Sequence, residues 1–470
     1  MFTGSTLGAA WFAIFRVDIP HDVGWESLQE GVTGGMLLSF RVANHRSLRE
    51  EQQLLLTPAY DEQDAPGEER LAVPVVAIFG SNASGKSNVL DAIRYMAYVV
   101  RWSFRENEPG GGLRRNPFAL NGAEPSSYVV DLSIDGVRYT YGFAVDDAAV
   151  IEEWLYSYPL KRERKIFERN GSHFTYGVDT PDSIKSLQEL VEPNVLLLSV
   201  GARARQEILR PVYGWFAAHR FRSPSVNMNR GVLTNKLGSL GAPELQERIA
   251  NLMRAADTGI ADFEIVEETD EELASRVARR QRLGGDLTPQ RQTRLLFRHV
   301  CGGGEFTLPL HEESEGTQQM FQLAISVLPV LEYGSVLLAD ELDASLHTYL
   351  SAKLIQLFQD PVTNPRGAQL IFATHDSALL GRVQGRDVLR RDQIWFTEKS
   401  EDGGTQLFPL TDFKPRKEDN RERRYLTGRY GAVPNVDDNL FMTALATRVD
   451  SEHVSPAAQG QQGPHTSIVD

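Results

Sequence analysis

Eight residues constrain the fold of this chain more than any other stretch: Gly80-Ser81-Asn82-Ala83-Ser84-Gly85-Lys86-Ser87. They meet the G-x-x-x-x-G-K-[ST] pattern at every fixed position. The context agrees. Val75-Val76-Ala77-Ile78-Phe79 is a short apolar run suited to a buried strand. Asn88 to Val100 then carries Val89, Leu90, Ile93, Met96 and Ala97 on one helical face. Glycines let the backbone turn so that successive N–H groups face phosphate oxygens at a helix N-terminus. Lys86 is placed to reach the β- and γ-phosphates, and the Ser87 hydroxyl to ligate Mg2+. Gly80 to Ser87 together with Asn88 are the expected cofactor-binding set. A chance glycine-rich turn is the ordinary alternative, and the agreement of motif with context leaves it little room.

Such a loop needs an α/β sheet around it, and the 470 residues provide for two or three structural units. The net charge of -14 argues against a protein that coats nucleic acid over its whole surface, though not against one basic groove. A single cysteine, Cys301, excludes a disulfide framework within the chain and a cysteine-based zinc site. No apolar run approaches the length of a membrane span. The expectation is a cytoplasmic protein without a membrane partner.

Three further segments carry chemistry. Val336-Leu337-Leu338-Ala339 is an apolar run that delivers Asp340 and Glu341 at its C-terminal end, where open α/β sheets bind ligands. Asp340 is the expected Mg2+ ligand beside Ser87, and Glu341 the general base that polarises an attacking water. A surface acidic pair at a strand end is the alternative, which the neighbouring phosphate loop makes remote. His375, in Phe372-Ala373-Thr374-His375-Asp376, again follows a buried run, 34 residues after Glu341. A lone histidine at a strand end is usually structural; its place in this series makes it a catalytic candidate that contacts the γ-phosphate. Glu313-Ser314-Glu315-Gly316-Thr317 precedes a helix expected to start near Gln318. Ser314 and Gly316 can present a hydroxyl and a helix N-terminus to a phosphate, a role compatible with an ordinary N-cap.

Along the chain, residues 1–35 form an extension without a steady period, expected to be disordered, and Met36 lies near the domain start or the translation start. Residues 36–150 alternate strand and helix and contain a hairpin, Tyr128 to Ile134 and Val137 to Val145, turning at Asp135-Gly136. Residues 151–293 are read as an inserted, mainly helical lobe, with 270–294 an exposed excursion. Residues 294–445 resume the alternation, and 446–470 are a polar, disordered tail.

The order of these pieces resembles ABC-type ATPase heads, including transporter nucleotide domains and the SMC, RecF and OLD-type heads. The resemblance implies a mixed sheet flanked by helices, an antiparallel β subdomain and an inserted helical lobe. It also implies two heads that sandwich ATP, with Ser314 and Gly316 acting in trans. Ser314 and Asp340 follow Lys86 by 228 and 254 residues, a spacing that implies the insertion. Ser39-Phe40-Arg41-Val42-Ala43-Asn44-His45-Arg46-Ser47-Leu48 is similar to the strand start of RecF- and SMC-like heads. Glu341 to His347, Arg391 to Phe396 and Tyr425 to Pro434 resemble the single-chain ATPases of bacterial abortive-infection and anti-phage systems, the AbiL and RloA type. The chain departs from transporters at Glu315, where they carry glycine, and at His347, where they carry aspartate. The 95 residues after His375 hold no convincing Asp-x-Asp strand end, so no nuclease of the OLD type is expected and a separate effector is the implied partner.

Weaker signals remain. Arg294 and His299 fit the spacing of some small ribonucleases, but the run between them reads as a strand. Asn235-Lys236 starts a guanine-reading motif that Gly238 breaks, so ATP is preferred. Basic clusters at 161–165, 276–282 and 414–424 make nucleic acid a candidate partner. The expectation is an ATP-hydrolysing subunit of an anti-phage defence system that controls an effector through ATP-dependent homodimerisation. The alternative is a RecF- or SMC-like DNA-maintenance ATPase.

Overall fold

The computed structural model describes residues 35–59, 71–222, 243–282, 293–344, 346–414, 419–434, 439–440 and 442–443. The extension before Gly35, Asn235-Lys236 and the tail from 446 lie outside them. The chain divides into Met1–Ala432 and Val433–Asp470. In the second unit, Thr443 Oγ1 donates to the Asn439 carbonyl at 2.8 Å within a helical turn.

The main unit begins with β1 (Gly35–Ala43) and β2 (Gln52–Leu55), an antiparallel pair. Next comes β3 (Val75–Gly80), whose six residues are all buried, and then α1 (Lys86–Glu106). A meander follows: β4 (Ser126–Ile134), β5 (Val137–Val145), β6 (Val150–Tyr158), β7 (Arg164–Asn170) and β8 (His173–Tyr176). The hairpin expected at Asp135-Gly136 joins β4 to β5. These strands form an antiparallel seven-stranded sheet in the order β2-β1-β4-β5-β6-β7-β8.

The helical part of the middle region starts later than its composition suggests. Residues 151–176, read from sequence as the start of a mainly helical lobe, instead carry three strands of this sheet, β6 to β8. Only then come α2 (Asp182–Lys185), α3 (Leu197–Arg203), α4 (Arg210–Ala218), the short β9 (Arg220–Arg222) and α5 (Pro243–Ala255). The misreading has a physical source. In β6 the buried face includes Glu153, whose carboxylate takes the backbone N–H groups of Leu197 and Leu198 at 2.7 and 3.0 Å, and that charge breaks the apolar alternation.

A third sheet, β10 (Ile260–Glu267), β11 (Thr293–Cys301) and β12 (Gly304–Pro309), has α6 (Asp270–Arg282) between its first two strands. No residue of α6 is buried, as the charged excursion expected there requires. The sheet packs on α7 (Glu315–Tyr333) through Phe263, Phe297 and Phe321, with ring centroids 5.0 to 5.9 Å apart.

The chain then builds β13 (Val336–Ala339), α8 (Thr348–Gln359), β14 (Gln369–Ala373), the two-residue strands β15 (Arg382–Val383) and β16 (Arg386–Asp387), β17 (Ile394–Lys399), β18 (Thr405–Pro409) and α9 (Arg421–Leu426). The six-stranded sheet runs β18-β17-β3-β14-β13-β9, parallel except for β18. Fully buried β3, β13 and β14 occupy its centre, as continuous apolar runs should. Phe396 of β17 stacks on Tyr425 and Tyr430, at 5.6 Å each. One apolar core joins α1 to both large sheets. The result is an α/β fold with a mixed sheet, flanking helices and an antiparallel β subdomain, as the resemblance to ABC-type heads implies.

Candidate active site

The register of the parallel strands brings three strand ends together. Ala77 of β3 lies opposite Phe372 of β14, and Phe372 opposite Ala339 of β13. Gly80, Asp340 and Thr374 therefore leave the sheet at one edge. Here Thr374 N donates to the Ile78 carbonyl at 3.1 Å, and Leu342 N to the Ala373 carbonyl at 3.2 Å.

The loop after β3 is a strained cradle. Ala83 and Gly85 have φ of 62° and 106°, the alternation that turns backbone N–H groups toward a concave anion site. A side chain at Gly85 would run into Thr405, and one at Gly80 would meet Thr397 Oγ1 at 2.5 Å, so glycine is required at both. Lys86 is buried and folds back on the loop, donating through Nζ to the Gly80 and Ser81 carbonyls at 2.8 and 2.9 Å. Burial pushes its ammonium down to about 8, against the pull of Asp340, Glu341 and Asp343.

Ser87 Oγ donates to Asp340 Oδ1 at 2.9 Å. Burial pushes the Asp340 carboxyl up; the Ser87 hydrogen bond opposes that, Glu341 adds to it, and Lys86 and His375 draw it back. Ser87 and Asp340 thus offer two hard oxygen donors on one spot. That suits Mg2+, which takes one or two protein oxygens and completes its shell with phosphate and water. Glu341 follows at φ 49° with its side chain exposed. A non-glycine residue in the left-handed region is strained, and such strain concentrates at functional sites. His375 is exposed, between Thr374 and an anchored Asp376. Asp376 accepts from Thr348 Oγ1 at 2.5 Å and from Ala378 N at 3.0 Å.

The remaining predicted residues have other partners. Ser314 caps α7, its Oγ accepting from Thr317 N at 3.1 Å, so the helix starts at Glu315, three residues before the expected Gln318. Ser314 and Glu315 are exposed, and no hydrogen bond or ion pair among the described residues links Ser314 or Gly316 to the phosphate loop. Asn88 donates its amide to Ser47 Oγ at 2.6 Å, so its side chain serves the β1–β2 loop. His299, singled out by its spacing from Arg294, bonds Glu313 Oε1 at 2.7 Å and so ties β11 to the turn before Ser314. The basic clusters are partly neutralised at home: Arg164 by Asp179, Lys165 by Glu168, Arg276 by Glu268 and Arg424 by Asp419.

Arg222 escapes a sequence reading, because nothing around it forms a motif. Its carbonyl accepts from Asp340 N at 2.8 Å, and its guanidinium donates to Gln319 of α7. Burial pushes it down to about 10. It joins the end of β13 to the first turns of α7. Ser47, Thr397 and Thr405, which line the loop from behind, are equally silent in sequence.

A family model described as "AAA domain, putative AbiEii toxin, Type IV TA system" matches residues 75–381, from the first residue of β3 to just beyond β14. No curated protein matches. Among solved structures, the chain is similar to the SMC head domain from Thermotoga maritima. Identity is 13%, with 79% of this chain and 98% of that one covered, at a TM-score of 0.37. It is also similar to the Smc head domain with an extended coiled coil bound to the C-terminal domain of ScpA from Pyrococcus furiosus. There identity is 13%, coverage 81% and 98%, and the TM-score 0.38. At those TM-scores the overlap adds nothing to the topology above. Among the described residues no helix is long and apolar enough to cross a membrane.

Proposed function

The chain belongs to the AAA-domain family of the AbiEii type, and on that premise we propose that it binds ATP with Mg2+ and hydrolyses it as the switch of an anti-phage defence system. The observation that carries this reading is the 2.9 Å bond between Ser87 and Asp340, residues 253 apart in sequence and beside Lys86. A loop of backbone donors, a buried ammonium, a hydroxyl and a carboxylate at one sheet edge are the parts phosphoryl transfer needs.

Lys86 would exchange its two loop carbonyls for the β- and γ-phosphates, and the polyanion would restore its full charge. Ser87 and Asp340 would hold Mg2+, which when bound supplies charge neutralisation at the phosphate oxygens. Glu341 would take the proton of the attacking water as general base. His375 would reach the γ-phosphate from the next strand. The Ser314 hydroxyl and the exposed N-terminus of α7 would come from a second copy and complete the site in trans. ATP would then close a homodimer and hydrolysis reopen it, so that a separate effector is held or released.

The test compares wild type with Glu341→Gln for ATP binding, ATP turnover and mass in solution with and without Mg-ATP. Wild type should turn over ATP and dimerise transiently. Glu341→Gln should bind ATP, lose about 10²- to 10⁴-fold in turnover and stay dimeric. A wild type that neither binds nor hydrolyses ATP sinks the reading. A Glu341→Gln protein that hydrolyses normally removes Glu341 from the base role.

A further inference from the structure

The phosphate loop is held from outside as well as by its own bonds, those of Lys86 and the one from Ser84 N to the Ser81 carbonyl at 3.3 Å. Ser84 lies between the left-handed residues Ala83 and Gly85, and a non-glycine residue in that region persists only when its surroundings enforce it. Ser84 is gripped at both of its polar ends by strands more than three hundred positions away. Thr405 Oγ1 donates to the Ser84 carbonyl at 2.8 Å, and Ser84 Oγ lies 2.7 Å from Thr397 Oγ1.

The proton count gives this network a direction. A threonine hydroxyl has one proton. Thr405 gives its proton to the Ser84 carbonyl, so across the 2.7 Å contact with Ser47 Oγ it accepts. Ser47 therefore donates to Thr405, and its own oxygen accepts from Asn88 Nδ2 at 2.6 Å. Donation runs from Asn88 through Ser47 and Thr405 to Ser84. It starts in the first turn of α1 and ends in the loop that feeds the same helix, closing a ring.

Two of the anchor points, Ser47 and Thr405, are also tied together independently of the loop. Thr405 N donates to the Ser47 carbonyl at 2.7 Å. Arg49 reaches from the β1–β2 loop to Asp402 in the β17–β18 turn at 2.8 Å. Ser84, Thr397 and Thr405 are 1%, 0% and 3% exposed, so water cannot replace a lost hydroxyl.

We propose that Thr405, Thr397 and Ser47 are positioning residues that hold the phosphate loop in its binding conformation. They act through Ser84 and do not touch the ligand. The consequence for affinity rests on the ATP reading; the grip itself does not. The phosphate affinity of the chain is thereby tied to the β17–β18 hairpin.

The test uses the full chain and three variants: Thr405→Val, which keeps the shape and removes the hydroxyl, Thr405→Ser, which keeps the hydroxyl, and Ser47→Ala at a half-buried position. Hydrogen exchange without nucleotide should quicken about tenfold or more at the amides of 82–87 in Thr405→Val, as loss of a buried hydrogen bond demands, and stay unchanged in β13. The Kd for Mg-ATP, read with a fluorescent ATP analogue, should weaken about ten- to a hundredfold on the same ground. Thr405→Ser should return both to within about threefold, a residual of less than 1 kcal/mol. Ser47→Ala should move both in the same direction by less, and it answers the question if the valine variant does not fold. Exchange at the wild-type rate in a folded variant overturns the grip, as does failure of the serine to rescue. Faster exchange with unchanged ATP affinity overturns its link to binding. A wild type that binds no ATP, with exchange still faster in Thr405→Val, sinks the ATP reading and leaves the grip standing.

Discussion

At the scale of single residues, Lys86 shows how a buried cation is kept ready for an anion. Its ammonium is out of water and satisfied by two loop carbonyls, and burial has drawn it down to about 8. A phosphate offers the charge that those carbonyls lack. Lys86→Met should therefore cost roughly 2–3 kcal/mol of ATP binding, the worth of charged hydrogen bonds, or about a hundredfold in Kd. Lys86→Arg should not rescue it, because the planar guanidinium fork cannot enter a space that admits a slim ammonium. Titration with a fluorescent ATP analogue checks both; an arginine variant that binds like wild type would show the space to be larger than the loop contacts imply. Lys86, Ser87 and Asp340 were legible in sequence because a motif fixes residue types at short spacing beside apolar strands. Arg222 and Thr405 were not, because their roles exist only once the strand order places β9 beside β13 and β18 beside β17.

At the scale of elements, α7 and its leading turn form a unit whose order is set from outside the helix. Ser314 caps it, Gln318 Nε2 donates to the Glu313 carbonyl at 2.8 Å, and His299 holds the nearly buried Glu313 carboxylate from β11. His299→Phe keeps the ring that stacks on Phe306 and deletes the bond. The stranded carboxylate should cost on the order of 1–3 kcal/mol. Ser314→Ala should cost about 1 kcal/mol through the lost cap. In the proposed trans arrangement both variants should weaken ATP-dependent dimerisation while each protomer binds ATP as before. Sedimentation with and without Mg-ATP, alongside nucleotide titration, separates the two effects. Loss of ATP binding by the isolated protomer would place this turn in the same protomer's site instead. The elements that sequence rendered well, β3, β13 and β14, are apolar throughout. Of those it missed, β6 and β7 bury charge: Arg169 of β7 packs 4% exposed, donating to the Val195 carbonyl at 2.6 Å. A binary pattern does not expect a guanidinium on an inner face.

At the scale of the whole molecule, two features decide how the layers hold together. The two large sheets share a hydrogen-bonded staple at Gln369, which is 2% exposed. Its Oε1 accepts from Leu37 N at 2.6 Å, and its Nε2 donates to the Leu37 and Val73 carbonyls at 3.0 and 3.2 Å. Gln369→Leu keeps the volume but strands buried backbone groups, and should lower unfolding free energy by about 2–5 kcal/mol. Urea unfolding should show this as a lower midpoint with an unchanged slope. The second feature gives stability a pH dependence of known sign. His219 is buried beside Trp215, with Nδ1 donating to the Trp215 carbonyl at 2.8 Å. Burial pushes its pKa down to about 4; carbonyls of Trp215 and Phe216 oppose this, and Arg101 and Arg220 add to it. The unfolded chain takes up the proton first, near 6.5. Stability from the neutral ring is therefore complete above about pH 6.5 and is lost as pH falls toward 4. Between pH 7.5 and pH 5 the loss should be on the order of 2 kcal/mol. His45, also buried and lowered, acts in the same direction, whereas Asp91, held below the usual carboxylate range, costs stability only under more acid conditions. The discriminating quantity is thus a difference. His219→Phe keeps an aromatic ring and removes the titration, so its urea midpoint should fall less than that of wild type over the same span. Equal falls in the two proteins would leave His219 as packing alone.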